Sequence, residues 1–231
     1  MAIAFVSSVA AGSADNNNVT TGSVDTSGAN LLVVVVSTYG TGGTLTDSKS
    51  NTWNALTRRG AAGDAGCQIF YAVNPTVGTG HTFTYSSTAK YPSVAAMAFS
   101  GANTSSPFDV ENGANNTTMT TIATGSVTPS EDNELIVAGY GGYSGAVSSI
   151  DSGMTIADTV TYSANHLAAG SAYKIQATAA AINATWTIGA ASINAAAIAT
   201  FKAAAGGGGG SIIGDGNLTE GARLFNGRIA A

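Results

Sequence analysis

The feature that most constrains the fold of this chain is an internal repeat. At a shift of 103 residues, the run Thr-Gly-Ser-Val at positions 21–24 falls on an identical run at 124–127. Eight of the fourteen positions from 21 to 34 are identical without a gap, including Leu32 with Leu135 and Val34 with Val137. Chance matching of small residues does not readily produce such a run. The chain is therefore predicted to hold two copies of one set of elements, in residues 1–103 and 104–204.

Aromatic residues extend the repeat beyond the identical run. At nearly the same shift, three aromatic pairs coincide at equivalent places in their segments: Tyr71 with Tyr173, Phe83 with Trp186, and Phe99 with Phe201. The order of elements is thus predicted to be duplicated over both halves.

The pattern of the segments indicates strands. Short runs rich in Val, Ile, Thr, Phe and Tyr are separated by clusters of Gly, Asn, Asp and Ser, which is typical of β-strands joined by turns. The predicted strands lie near residues 3–9, 19–24, 31–38, 52–58, 67–74, 80–86, 93–100, 118–127, 134–140, 154–162, 167–177, 183–189 and 193–202. The predicted fold class is all-β.

Two copies of a strand set can form a single jelly-roll-like β-sandwich or two tandem immunoglobulin-like sandwiches. Aromatic residues make up only 7% of the chain, and a small domain buries proportionately less surface, so each half alone offers few large core residues. The join at residues 103–118 has the composition of an ordinary sandwich connection. We favour one sandwich over residues 1–204, with the tandem arrangement as the alternative.

Three features predict the core. Residues 31–36 are continuously apolar, which indicates a central strand covered on both faces. Trp186 alternates with threonines and is predicted to face the interior. Cys67 is the single cysteine, so it is expected to act as a small buried hydrophobe and an intramolecular disulfide is excluded.

The composition changes abruptly near the end of the chain. Residues 205–210 read as a flexible glycine linker, since five consecutive glycines follow three alanines. Beyond it, residues 211–231 are predicted to be a docking tail that attaches to a neighbouring subunit. Its candidate assembly residues are Ile212, Ile213, Leu218, Leu224, Phe225 and Ile229.

Charge excludes several partners. The net charge is -5, and the chain has only eight Lys and Arg residues, with no cluster beyond Arg58 and Arg59. Nucleic-acid binding is not expected, because no basic patch is available to hold phosphates. No apolar run approaches the roughly 20 residues of a membrane-spanning helix, so no membrane partner is expected either.

No arrangement of residues predicts catalysis or a cofactor. The two histidines, His81 and His166, lie in unrelated segments without nearby metal-ligand partners, and both are expected to face solvent. Acidic residues at positions 109, 111, 131, 132 and 134 occupy turn contexts in which carboxylates usually solvate loops and cap amides. The prediction is a protein that is not an enzyme and that holds no metal or cofactor.

Tyrosines offer the one candidate ligand surface. Aromatic faces can stack on sugars, and Tyr140 and Tyr143, on either side of two glycines, are predicted to be the exposed contacts for a glycan. Tyr39 and Trp53 are further candidates for the same surface.

Several segments together resemble a family of Gly/Ala/Thr-rich β-sandwich proteins encoded by tailed phages and bacteria. They are GANLLVVVV at 28–36, DSKSNTWNAL at 47–56, FYAVN at 70–74, and FSGA at 99–102 with SPFD at 106–109. The resemblance covers residues 1–202. It implies a role in the virion, such as capsid decoration, head fibre or tail-associated protein, and it brings no catalytic residues.

The predicted function is that of a non-catalytic virion structural protein that joins other capsid or tail proteins and forms homo-oligomers. Sandwich surfaces and the tail would make these contacts. One alternative is a carbohydrate-binding module for adhesion to cell-surface glycans. Another is a bacterial extracellular filament or adhesin subunit, located outside the cell or on its surface.

Overall fold

A computed structural model describes residues 2–61, 63–143 and 146–205, apart from the side chains of residues 116 and 117. Every regular element in these residues is a β-strand, and the strands form antiparallel sheets. The all-β sandwich prediction is confirmed. Residues 206–210 of the predicted linker and the docking tail with its six assembly residues lie outside the described residues.

Fourteen strands alternate with turns in the described residues. In the first half they are β1 (Ala4–Gly12), β2 (Val19–Thr20), β3 (Leu31–Tyr39), β4 (Thr44–Asp47), β5 (Asn54–Ala55), β6 (Ala65–Val73), β7 (Phe83–Ser86) and β8 (Ser93–Ser100). In the second half they are β9 (Phe108–Ala123), β10 (Glu134–Gly142), β11 (Val147–Ile150), β12 (Thr155–Val160), β13 (Ala168–Gln176) and β14 (Thr185–Phe201).

The two halves share one topology. The first forms a five-stranded sheet in the order β1-β8-β3-β6-β5 and a three-stranded sheet in the order β2-β7-β4. In the second, β9, β14, β10, β13 and β12 are neighbours in the matching order. The single strand β14 corresponds to both β7 and β8 of the first half. Its first residues pair with β11, as β7 pairs with β4, and its later residues pair with β10, as β8 pairs with β3.

Three apolar clusters hold these sheets together. One lies inside the first half, with Val34 and Phe83 among its members, and one lies inside the second, around Ile136 and Trp186. The third joins the two large sheets face to face. The structure thus combines features of both predicted arrangements, since each half has its own core and the halves also share one.

Strand β3 shows how the layers form. Its alternate residues Leu32, Val34 and Val36 face the core of the first half, whereas Leu31, Val33 and Val35 face the shared core. All six are at most 1% exposed. The prediction of a strand covered on both faces is confirmed, as are the buried positions of Cys67 and Trp186.

The structure corrects the alignment of the repeat within one strand. Leu32 faces the core of its own half, but its sequence match Leu135 faces the shared core. The residue in the equivalent position is Ile136, one place further on. Successive side chains in a strand point to opposite faces, so a shift of one residue reverses the face. The identities of Leu32 with Leu135 and of Val34 with Val137 therefore join residues that are not structurally equivalent.

The aromatic pairs, in contrast, mark equivalent positions. Tyr71 of the first half packs on Phe201 of the second at 5.4 Å between ring centroids, and Tyr173 packs on Phe99 at 5.5 Å. Phe108 and Phe5 complete the two groups by stacking on Tyr71 and Tyr173, respectively. These reciprocal contacts relate the halves by a pseudo-two-fold axis, as in an isologous dimer.

Glycines in β10 allow the two large sheets to approach. A methyl group added at Gly139 would lie 2.8 Å from Cys67 Sγ and 2.9 Å from Val35 Cγ1. One added at Gly141 would lie 2.5 Å from the Gly66 carbonyl oxygen. All three distances are shorter than a Cβ atom tolerates, so a side chain at either position would have to displace its neighbours.

Some strands were not predicted from the sequence. Strands β4 and β11 were missed, and β9 begins at Phe108, inside the segment predicted to be a connection. Its first residues include Asp109, Glu111 and Asn112, which are typical of turns. In the structure β9 is the counterpart of β1 and lies at a sheet edge, where polar residues are tolerated.

The close approach at β10 gives a stability prediction. Gly139→Ala should lower the free energy of unfolding by about 1–3 kcal/mol, because the methyl group displaces Val35 and Cys67. Gly189→Ala is the matched control, since its methyl group meets no atom closer than 3.8 Å, and it should stay within about 1 kcal/mol of the wild type. Denaturant unfolding of the three proteins measures the difference. Equal effects of the two substitutions would contradict the tight sheet contact.

Candidate functional site

A cavity lined by aromatic residues lies between the halves, where β3 and β10 end. Its volume is about 560 Å³. The first half contributes Tyr39 and Tyr91, and the second contributes Tyr143 and Tyr162. Ala89, Ala164 and Leu167 complete the lining. We call this cavity the tyrosine pocket.

Topology explains how the tyrosines meet. Tyr39 ends β3, and Tyr143 follows the end of β10, the equivalent strand of the other half. Their rings contact edge to face at 6.2 Å between centroids. Tyr39 makes a second edge-to-face contact with Tyr91, at 6.5 Å. The pseudo-two-fold axis therefore passes between Tyr39 and Tyr143.

Backbone hydrogen bonds fix three of the four tyrosines. Tyr39 donates its N–H to the Lys90 carbonyl (2.7 Å), and Tyr143 donates to the Ile193 carbonyl (3.1 Å). The Tyr91 carbonyl accepts from Leu167, a bond that crosses between the halves. Tyr162 is the most open member, with 42% of its surface exposed. The pocket is thus preformed, with one exposed ring at its rim.

Electrostatics keeps the lining neutral. Burial, together with the neighbouring Asp64 carboxylate, raises the pKa of Tyr143 to about 12. The Tyr143 hydroxyl is therefore protonated at neutral pH and can both donate and accept a hydrogen bond. An aromatic, hydroxyl-bearing and uncharged lining of this kind can stack on a ring and hydrogen-bond its substituents.

The structure separates the two tyrosines predicted to contact a glycan. Tyr143 lines the pocket, but Tyr140 is 0% exposed and packs near Trp186 in the core of the second half. The reason is the alternation of side chains along β10, which turns Tyr140 toward its own core. Tyr39 was predicted and reaches the pocket, whereas Trp53 packs on Phe83 elsewhere.

Tyr91 and Tyr162 were missed because they lie in turns, far apart in the sequence. Nothing in their local pattern distinguishes them. Only the meeting of the two halves brings them together.

The prediction that His81 faces solvent is wrong. Its side chain is fully buried, and its Nε2 lies 3.1 Å from Asp47 Oδ1. Asp47 also accepts hydrogen bonds from the Lys49 N–H and from Trp53 Nε1, both at 2.8 Å. On the other side of the ring, Nδ1 lies 2.9 Å from Thr26 Oγ1. The group resembles a hydroxyl–imidazole–carboxylate triad, but no substrate can reach it, so we interpret it as an organiser of the adjoining turns.

His166 is half-buried, and it too is engaged within the fold. Its Nδ1 lies 2.8 Å from the Ser13 carbonyl oxygen, and its Nε2 lies 3.0 Å from the Thr161 carbonyl oxygen. The ring lies against Gly12, where any side chain would overlap it. His166 therefore helps to hold the first half against the second.

The acidic residues near the join of the two halves also make hydrogen bonds and an ion pair within the fold. Asp109 accepts hydrogen bonds from Ser130, and Glu111 accepts from Thr57 and pairs with Arg59 at 3.4 Å. In residues 2–61, 63–143 and 146–205, no three His, Cys, Asp or Glu side chains come together in a way that could hold a metal ion. Among the same residues there is no helix of the length and apolarity that a membrane crossing requires.

Comparisons of the chain with protein-family models, with curated proteins and with solved structures each find no match.

The buried His81 gives a prediction for pH dependence. Burial lowers the pKa of His81, and the hydrogen bond to Asp47 opposes this shift only in part. Above about pH 6.5 the imidazole is neutral in both the folded and the unfolded chain. Below that value the unfolded chain binds the proton first, so stability falls until the pH passes the lowered pKa of the folded state.

Denaturant unfolding at about pH 7.5 and about pH 5.5 measures this predicted loss of stability at the lower pH. His81→Gln should cost about 1–3 kcal/mol at the higher pH, because it weakens the hydrogen bonds to Asp47 and Thr26. The variant should then lose less stability than the wild type on going to the lower pH. An identical loss in both proteins would show that His81 does not titrate as its burial requires.

Proposed function

We propose that the chain is a non-catalytic structural protein of a tailed-phage virion, associating with copies of itself and with capsid or tail proteins. The observation that carries this proposal is the free edge of β1. Among the described strands, β1 pairs with β8 alone. Its nine residues, Ala4–Gly12, include neither a charged residue nor proline.

An edge of this kind favours association. Sheet edges of monomeric proteins are commonly protected by lysines, prolines or bulges, because an open edge pairs readily with another chain. Strand β1 has one irregularity between Phe5 and Ser7, after which its register with β8 is regular to Gly12. The segment from Ser7 to Gly12 can therefore accept a strand from a neighbour.

The surface composition and the resemblance support the same role. Only 9% of the residues are charged, so the surface depends on hydroxyl, amide and backbone groups. The five segments that resemble phage and bacterial β-sandwich proteins lie within the described residues. The apolar residues of the predicted tail, beyond the glycine linker, would supply a second attachment.

The direction of the backbone N–H groups suggests a selective test. The Ser13 N–H donates to the carbonyl of Pro92, the residue before β8, at 2.9 Å. Because N–H groups alternate along an antiparallel strand, those of Ser8, Ala10 and Gly12 point to the open edge. Ala10→Pro then removes an outward donor and leaves the bonds to β8 intact.

Two variants test the two attachments. In analytical ultracentrifugation, the wild type should self-associate as its concentration rises, Ala10→Pro should remain monomeric, and Ala10→Ser, which keeps the N–H, should behave like the wild type. A chain ending at Ala205 should fold but be absent from purified phage particles. A wild type that is monomeric at all concentrations, together with normal incorporation of the shortened chain, would contradict the proposal.

A further inference from the structure

The tyrosine pocket has a size and an aromatic lining that the proposed structural role does not explain. Its volume of about 560 Å³ lies within the range of roughly 300–1,000 Å³ common for small-molecule sites. Packing of a sandwich does not require four tyrosine rings around an open cavity. Such rings are usually buried against each other or scattered over the surface, so their convergence here points to a ligand.

Backbone conformation at the pocket gives a second indication. Ala89 and Tyr91, on either side of Lys90, have φ values of 50° and 52°. Residues other than glycine rarely adopt this left-handed conformation, and such residues concentrate at ligand-binding sites. This backbone conformation places Tyr91 against Tyr39, and the two rings form one wall of the pocket.

The chemistry of the lining defines the ligand. A pyranose ring has an apolar face of C–H groups, which packs on aromatic rings, and a rim of hydroxyls, which pairs with phenol hydroxyls. The pocket offers both, and the protonated Tyr143 hydroxyl can serve as donor or acceptor. A quaternary ammonium ion can also bind between aromatic rings. Here the Lys90 ammonium lies near Gly40, the residue after Tyr39, and its positive charge disfavours a cationic ligand.

We propose that the tyrosine pocket binds a neutral hexopyranose, as part of a glycan. Tyr162 stacks on the exposed face of the sugar at the rim. Tyr39, Tyr91 and Tyr143 form the walls and hydrogen-bond its hydroxyls, and Leu167 forms the apolar floor. This proposal goes beyond the structural role and is independent of it, because it concerns a pocket within one chain.

The test uses the full chain and defined probes. Saturation-transfer difference NMR is run with the methyl glycosides of glucose, galactose and mannose, with N-acetylglucosamine, and with tetramethylammonium chloride. At least one sugar should bind saturably with a Kd in the range of about 1–10 mM, which is weak and typical of a single small ring with few contacts. Tetramethylammonium should give no saturable signal.

Matched variants locate the site. Tyr162→Ala should weaken binding of that sugar at least about ten-fold, whereas Tyr162→Phe, which keeps the ring, should stay within about three-fold. Met119→Ala removes another exposed apolar side chain, 47% exposed and outside the pocket, and should bind like the wild type. Far-UV circular dichroism and thermal melting confirm that each variant is folded.

Three results would overturn the proposal: no sugar of the panel binds, sugar binding survives Tyr162→Ala, or tetramethylammonium is the probe that binds. If Tyr162→Ala fails to fold, Tyr143→Phe takes its place. That variant keeps the ring, and because it removes a wall hydroxyl it should weaken sugar binding measurably. Failure of sugar binding leaves the association of β1 and of the tail intact, so the two proposals can fail separately.

Discussion

The face-to-face packing of the two large sheets is the contact on which the rest of this structure depends. It buries the second face of β3, so that Leu31, Val33 and Val35 meet Leu135 and Val137 from the other half. Neither large sheet is covered on that face by its own half. Without the shared core, each half would expose a broad apolar surface to water, at a cost of about 25 cal/mol for each Å² exposed. The described residues thus form one packed unit with three apolar cores.

The pseudo-two-fold symmetry of this packing also explains the tyrosine pocket. Equivalent residues near the axis must meet each other, as Tyr39 and Tyr143 do. Away from the axis the halves have diverged, and Tyr91 and Tyr162 lie in turns with different sequences. The pocket therefore combines a symmetric centre with asymmetric walls. A change that shifted one sheet against the other would move its walls apart.

The sequence was sufficient to predict the class of the fold and its duplication, because strand composition and the repeat are local or periodic signals. The doubly covered β3 and the buried Trp186 followed from the same signals. Three features did not follow. The alignment of β10 with β3 was misplaced by one residue, because both strands carry consecutive apolar residues that match equally well on either face. His81 was assigned to the surface, because its partner Asp47 lies 34 positions away in the sequence. Tyr140 and Tyr143 were paired by proximity, although Tyr140 points into the core of the second half and Tyr143 lines the tyrosine pocket.

Labelling of Cys67 tests the shared core most directly. The thiol is buried between the halves, next to Gly139, and burial raises its pKa to about 12. Alkylation by iodoacetamide requires the thiolate and an open path to it, so it reports on separation of the large sheets. If the halves form one body, the free energy of opening measured by labelling in increasing denaturant will equal that of global unfolding measured by circular dichroism. An opening free energy well below that of global unfolding would show that the halves separate while still folded, and would contradict this account.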